Sequence, residues 1–116
     1  MNDLARLTIR RRDGVVIAAI SGEIDISNAR ALEHRIADAL EPGSAGLVVD
    51  LTGLSFLDGS GAHLLYALDD RVKRRFAIVL PAASAPGRVL ALSGPRPARW
   101  IHRGEAAAIA AVLAAR

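Results

Sequence analysis

A chain of 116 residues that is 52% hydrophobic, with a mean hydropathy of +0.29, has the length of one domain and enough apolar side chains for a core, which excludes disorder as its dominant state. It has no cysteine, which removes disulfides, thiolate metal sites and cysteine nucleophiles, and it shows neither a run of ~20 apolar residues nor a secretory leader pattern, so a cytoplasmic location is expected. Fifteen basic and twelve acidic residues leave a charge of only +3, and aromatics are 3%, so neither a strongly attractive nor a base-stacking nucleic-acid surface is expected.

Two apolar stretches, Leu7–Ile9 and Val15–Ile20, flank Arg10-Arg11-Arg12-Asp13-Gly14. Asp-Gly between β-prone runs predicts a hairpin, with the arginines on a solvated strand end. Ser27 is the expected N-cap of a helix whose apolar positions Ala29, Leu32, Ile36, Ala39 and Leu40 recur at three and four residues, and Pro42-Gly43 ends it. His34 falls on its polar side, with no second histidine one turn on.

Leu47–Leu51 is a nearly continuous apolar run, the pattern of a strand covered on both faces. A polar loop follows and opens a helix with a Leu64, Leu65, Leu68, Val72 stripe and Arg71, Lys73, Arg74 and Arg75 in its last turn, where cations complement the helix dipole. Phe76–Leu80 predicts another buried strand. A short helix is expected at Arg88–Ser93 with Gly94 after its end, an extended link through Pro95 and Pro97, a short strand at Arg99–His102, and a helix over Glu105–Ala115. The order β-β-α-β-α-β-α-(β)-α predicts an α/β domain with a mixed, mostly parallel sheet of four to five strands and about four helices.

The informative segment is Val48-Val49-Asp50-Leu51-Thr52-Gly53-Leu54-Ser55-Phe56-Leu57-Asp58-Gly59-Ser60-Gly61. A buried strand runs into a tight loop at a helix N-terminus, where free backbone N–H groups and the dipole favour negative charge. An exposed serine there is a site where a phosphate would add about −1.5 to −2 charge. On spacing alone a plainer reading stands beside it: Asp58 or Ser60 caps the helix and the glycines make the turn.

This segment resembles the signature of the STAS domain of bacterial anti-sigma factor antagonists, a strand ending in Asp-Leu followed by a hydrophobic-Asp-Ser-Ser-Gly loop and a helix. Ser21-Gly22-Glu23-Ile24-Asp25 is similar to the family's Gly-Glu-hydrophobic-Asp segment, and Ala91-Leu92-Ser93-Gly94 to its Leu-x-x-Ser/Thr-Gly helix end. The resemblance covers residues 1–116 as one STAS-like domain. It implies a partner-switching module that binds an anti-sigma factor, often a serine kinase with a GHKL-type ATP-binding fold, and so frees a sigma factor. In such systems phosphorylation of the loop serine breaks the complex.

The family's acceptor is the residue after the aspartate, and here that residue is Gly59; Ser60 matches the second hydroxyl position. Two readings follow. Either Ser60 is an alternative acceptor, or the module binds without control by phosphorylation, which is preferred. The partner surface implied comprises Asp58, Gly59, Ser60, Gly61 and His63, joined by Ser21, Glu23 and Asp25. Glycines 22, 53 and 61 also serve turn geometry.

The resemblance also allows a second job, as a non-phosphorylated subunit of a lipid or anion transport system or of a signalling complex. A hydrolase built on Asp58, Ser60 and His63 is disfavoured, because the Gly-x-Ser-x-Gly elbow is missing. No cofactor, metal or catalytic residue is expected.

Overall fold

Asp13 and Gly14 both have positive φ, 55° and 80°, as a two-residue type I′ turn requires to match the twist of its flanking strands. The turn joins β1 (Ala5–Arg12) to β2 (Val15–Ile24), with Arg12 opposite Val15. The computed structural model describes residues 3–115. The chain continues through α1 (Ala29–Ala39), β3 (Gly46–Asp50), β4 (Leu54–Leu57), α2 (Gly59–Arg71) and β5 (Phe76–Val79). It ends in α3 (Ala85–Leu92), α4 (Pro97–Trp100), β6 (Ile101–His102) and α5 (Glu105–Ala114).

The sheet runs β1-β2-β3-β5-β6, with β4 also paired to β2. Among the described residues only the β1–β2 pair is antiparallel. This is the expected mixed, mostly parallel α/β sheet, with six strands rather than four to five and five helices rather than about four among the described residues. The added strand is β4, in a segment expected as loop. β3 stops at Asp50, whose carboxylate accepts hydrogen bonds from Thr52 N (2.9 Å) and Thr52 Oγ1 (2.8 Å). That turn brings the chain back onto β2, so Val15–Ala19 pair with β3 and Gly22–Ile24 pair with β4.

The added helix is α4, where Pro95 and Pro97 were expected to hold an extended link. Pro97 instead opens a helical turn, a position where its missing N–H costs nothing. Trp100 closes the turn and is buried edge-on against Tyr66 (4.9 Å between centroids) and Phe76 (5.1 Å), so the expected strand shrinks to Ile101–His102. The cap of α1 is Asn28 rather than Ser27. Lys73, Arg74 and Arg75 lie beyond the end of α2 rather than in its last turn, which holds only Arg71 of the four.

One face of the sheet packs against α1, α2 and α3 through Val16, Ala18, Ile20, Leu32, Ile36, Leu64, Leu65, Leu68 and Leu90. The other is covered by α5, with Val15, Ile17, Val48, Val79, Ile109 and Val112 between them. The arginine run follows the alternation of β1. Arg11 points to the α1 side, donating to Ala39 O (2.9 Å) and pairing with Glu41. Arg10 and Arg12 point the other way, and both hold Glu105 at the start of α5.

The Arg10 guanidinium, hydrogen-bonded to Glu105 and backed by Arg12, holds that carboxyl below its ordinary value of 4.5. A carboxylate lowered by folding contributes stability above the ordinary value, and that contribution is lost as pH falls through the folded one. Glu105→Gln should therefore narrow the stability difference between pH 7 and pH 3 relative to wild type, read from urea midpoints. An unchanged pH dependence would show that the arginines do not act through Glu105.

Candidate functional site

Parallel pairing sets Ile24 beside Leu57, so β2 and β4 end level. The next residue of each is an aspartate, and Asp25 and Asp58 emerge on neighbouring strands, which lie about 4.8 Å apart. This is the carboxyl end of the parallel strands, where ligand sites of open α/β sheets form. Asp58 caps α2: its Oδ1 accepts from Ser60 N (2.9 Å) and Gly61 N (3.2 Å), and its backbone O from Ala62 N (3.0 Å). Asp25 accepts from Ser27 N (2.8 Å) and Ser27 Oγ (2.5 Å).

Asn28 fixes the β2–α1 loop. Only 1% exposed, it accepts from Asp25 N (3.1 Å) and donates to Glu23 O (2.9 Å), so its side chain ties the loop backward. Sequence reasoning passed over it, although asparagine immediately before a helical apolar pattern is itself a cap signal.

Gly59 is exposed, and a Cβ built on it meets no atom within 4 Å. Ser60 is half-buried and His63 exposed; both line an open groove of ≈ 820 Å³ whose opposite wall is Ile26, Arg30, Glu33 and His34 from the β2–α1 loop and α1. Ile26 is 84% exposed and was not among the expected site residues. Gly61 faces inward: a Cβ there would lie 2.5 Å from Leu57 Cδ1, so this glycine lets the helix approach the sheet. Ser21 and Glu23 lie lower on β2 and point to the α5 side, Ser21 against Gly53 and Glu23 paired with the half-exposed Phe56.

The structure thus gathers Asp25, Asp58, Gly59, Ser60 and His63 at one end and leaves Ser21 and Glu23 on its flank. The arrangement presents backbone and small polar groups around a groove. Among the described residues no hydrogen bond joins Ser60 to His63, and the Asp58 carboxylate is directed at amides rather than at an imidazole. Nor is there among them a group of three or more His, Asp or Glu side chains fit to hold a metal ion, or a helix long and apolar enough to cross a membrane.

Removing the cap has a defined cost. Asp58→Ala should lower the unfolding free energy by about 1 kcal/mol, because two amides of the first turn lose their acceptor. Chemical denaturation measures this, and a loss below a few tenths would mean that water replaces the carboxylate without cost.

Comparison with known proteins places this geometry. The sequence profile of the STAS domain matches residues 6–98. The chain is 32% identical over 79 residues to the anti-sigma-F factor antagonist RsfB of Mycobacterium tuberculosis, a match covering 66% of this chain and 65% of that protein, so it spans just under two thirds of that relative's length. An anti-sigma factor antagonist from Mycobacterium paratuberculosis superposes with a TM-score of 0.81 at 27% identity, covering 93% of each chain. The unphosphorylated form of the antagonist SpoIIAA superposes with a TM-score of 0.69 at 16% identity over 86% of this chain and 89% of that one, a likeness of fold.

Proposed function

Because the chain belongs to the STAS domain family, we propose that it is an anti-sigma factor antagonist: a binding module, not an enzyme, that docks on an anti-sigma factor through the Asp58–Gly61 loop and so regulates sigma-factor-dependent transcription. The partner is of the serine-kinase class with a GHKL-type ATP-binding fold, and both act in the cytoplasm. Gly59, Ser60 and His63 form the contact surface together with Asp25, and Ser21 and Glu23 lie at its margin. Asp58 acts by ordering the loop as well as by facing the partner.

The observation that carries this reading is the end of the sheet itself. Two adjacent strands deliver Asp25 and Asp58 to the mouth of α2, with Gly59 in the open between them and the groove. At that position the family carries its phospho-acceptor, and glycine has no hydroxyl. The module is therefore competent to bind without being switched there, and Ser60, half-buried with its amide on Asp58, does not take over.

Affinity capture from lysate with wild type, Ser60→Asp and Asp58→Ala tests the proposal. Wild type should recover an anti-sigma factor, and both variants should recover at least tenfold less. Equal recovery by all three would move the interface away from this loop. The missing acceptor also suits a second reading, a subunit of a lipid or anion transport system or of a signalling complex, and recovery of a transport ATPase or permease instead would establish it.

A further inference from the structure

The far end of α2, about 20 Å along its axis from Gly59, is built differently from an ordinary helix end. Val72 closes the helix, Lys73 N donates to Asp70 O and Arg74 N to Asp69 O, each at 3.3 Å, which is the Schellman arrangement. The residue after the cap in this motif is left-handed and usually glycine. Here two consecutive long cations occupy left-handed backbone, Lys73 at φ 54° and Arg74 at φ 73°. Strained backbone kept at residues with large side chains points to a use for those side chains.

Helix capping does not account for them. Four carbonyls at this end already have donors other than the Lys73 and Arg74 side chains: Leu68 O from Val72 N, Asp69 O and Asp70 O from the Schellman bonds, and Val72 O from Arg75 Nε at 3.2 Å. Arg71 supplies a cation in the last turn. Nor are the extra cations there to neutralise the neighbouring carboxylates. Arg96 does so, bridging Asp69 (3.1 Å) and Asp70 (3.0 Å) with its guanidinium 5.0 Å from the Tyr66 ring centre. Lys73, Arg74 and Arg99 are left without an ion pair or side-chain hydrogen bond among the described residues.

These three line one surface depression of ≈ 230 Å³ with Asp69, Asp70 and Arg96. Arg99 comes from α4, which is set in place by Trp100 wedged between Tyr66 and Phe76. The cations are therefore brought together by a packed joint and not by a mobile tail. Four cations face two carboxylates, and the space is smaller than the roughly 300 Å³ at which drug-sized ligand pockets begin. We infer that the depression is a binding site for a phosphate-type oxyanion, free or carried on a phosphorylated side chain. Guanidinium forks and an ammonium give the bidentate and point-charge contacts such a group takes. The site is separate from the Asp58 loop and stands or falls independently of the antagonist reading.

Titration of ¹⁵N-labelled protein at constant ionic strength, with inorganic phosphate, pyrophosphate and a phosphoserine peptide as separate ligands, tests this. Saturable amide shifts should centre on Lys73, Arg74 and Arg99. Affinity should fall at least tenfold in Lys73→Gly and in Arg99→Gln and less than twofold in Arg71→Gln. Lys73→Gly should at the same time melt about 3 °C higher, because glycine relieves the left-handed strain and the fold is intact. Tighter binding of the peptide than of free phosphate assigns the ligand to a phosphorylated partner segment, and the reverse assigns it to the free ion. Unchanged affinity in Lys73→Gly, or an equal loss in Arg71→Gln, would overturn the site in favour of diffuse surface charge.

Discussion

Gly22→Ala is expected to lower the unfolding free energy by about 3 kcal/mol, a large part of the 5–15 kcal/mol typical of a domain. Gly22 sits where β2 leaves β3 for β4 and the register shifts, with φ at +93°. A Cβ there would lie 2.2 Å from the carbonyl oxygen of Leu4, which accepts a hydrogen bond from Glu23 N (2.9 Å). Two costs add. The left-handed backbone costs alanine about 1 kcal/mol. Moving the Leu4 carbonyl away loosens the start of β1 and its hydrogen bond, about 2 kcal/mol more.

Gly43→Ala separates the two. Its φ is +91°, nearly the same, but a Cβ there meets nothing within 4 Å, so only the backbone cost of about 1 kcal/mol applies. Urea unfolding of both variants should therefore differ by about 2 kcal/mol. Equal losses would show that the Leu4 carbonyl yields freely. The Gly22 variant should also bind the partner less well, since the level ending of β2 and β4 that presents Asp25 and Asp58 depends on this crossing.

The hairpin was legible because Asp13-Gly14 is a local signal, and the buried strands because residues covered on both faces read as unbroken apolar runs. β4 was not legible, and its burial explains why. Leu54 and Leu57 face inward while Ser55 and Phe56 are exposed, a spacing of three that looks helical. The irregular register between β2 and β4 sets two residues of β4 against one step of β2, which breaks the period-two pattern. α4 was hidden for another reason: Pro97 reads as a break, and only the buried seat of Trp100 between Tyr66 and Phe76 reveals a turn of helix.

The site divides along the same line. Asp58, Ser60 and Gly61 were recognisable because capping is a contact between near neighbours in sequence. Asp25 was joined to that surface only through the family resemblance; its place beside Asp58 comes from strands 33 residues apart pairing in parallel, which no local pattern encodes. The groove joining His63 to His34 likewise arises from packing of α1 on α2, and the period of α1 showed no more than that His34 lies off its apolar face.

Gly59→Ser is expected to convert a loop that cannot be marked at this position into one that is. The substitution should leave stability within about 0.5 kcal/mol of wild type, because the added Cβ meets no atom within 4 Å and Asp58 still caps the helix. Incubated with ATP and an anti-sigma factor of the kinase class proposed above, wild type should gain no phosphate and Gly59→Ser should gain one. A phosphate there adds about −1.5 to −2 charge at the exposed first residue of α2. The helix N-terminus attracts that charge, so the fold tolerates it, while Asp25 and Asp58 already make the mouth acidic. The change therefore falls on the docking surface, and phosphorylated Gly59→Ser should lose at least tenfold in partner affinity. Stoichiometric phosphate on Ser60 of the wild type would defeat the reading of Gly59 as a lost switch. A folded Gly59→Ser that the kinase binds but never modifies would show that the loop is not presented to a kinase active site at all.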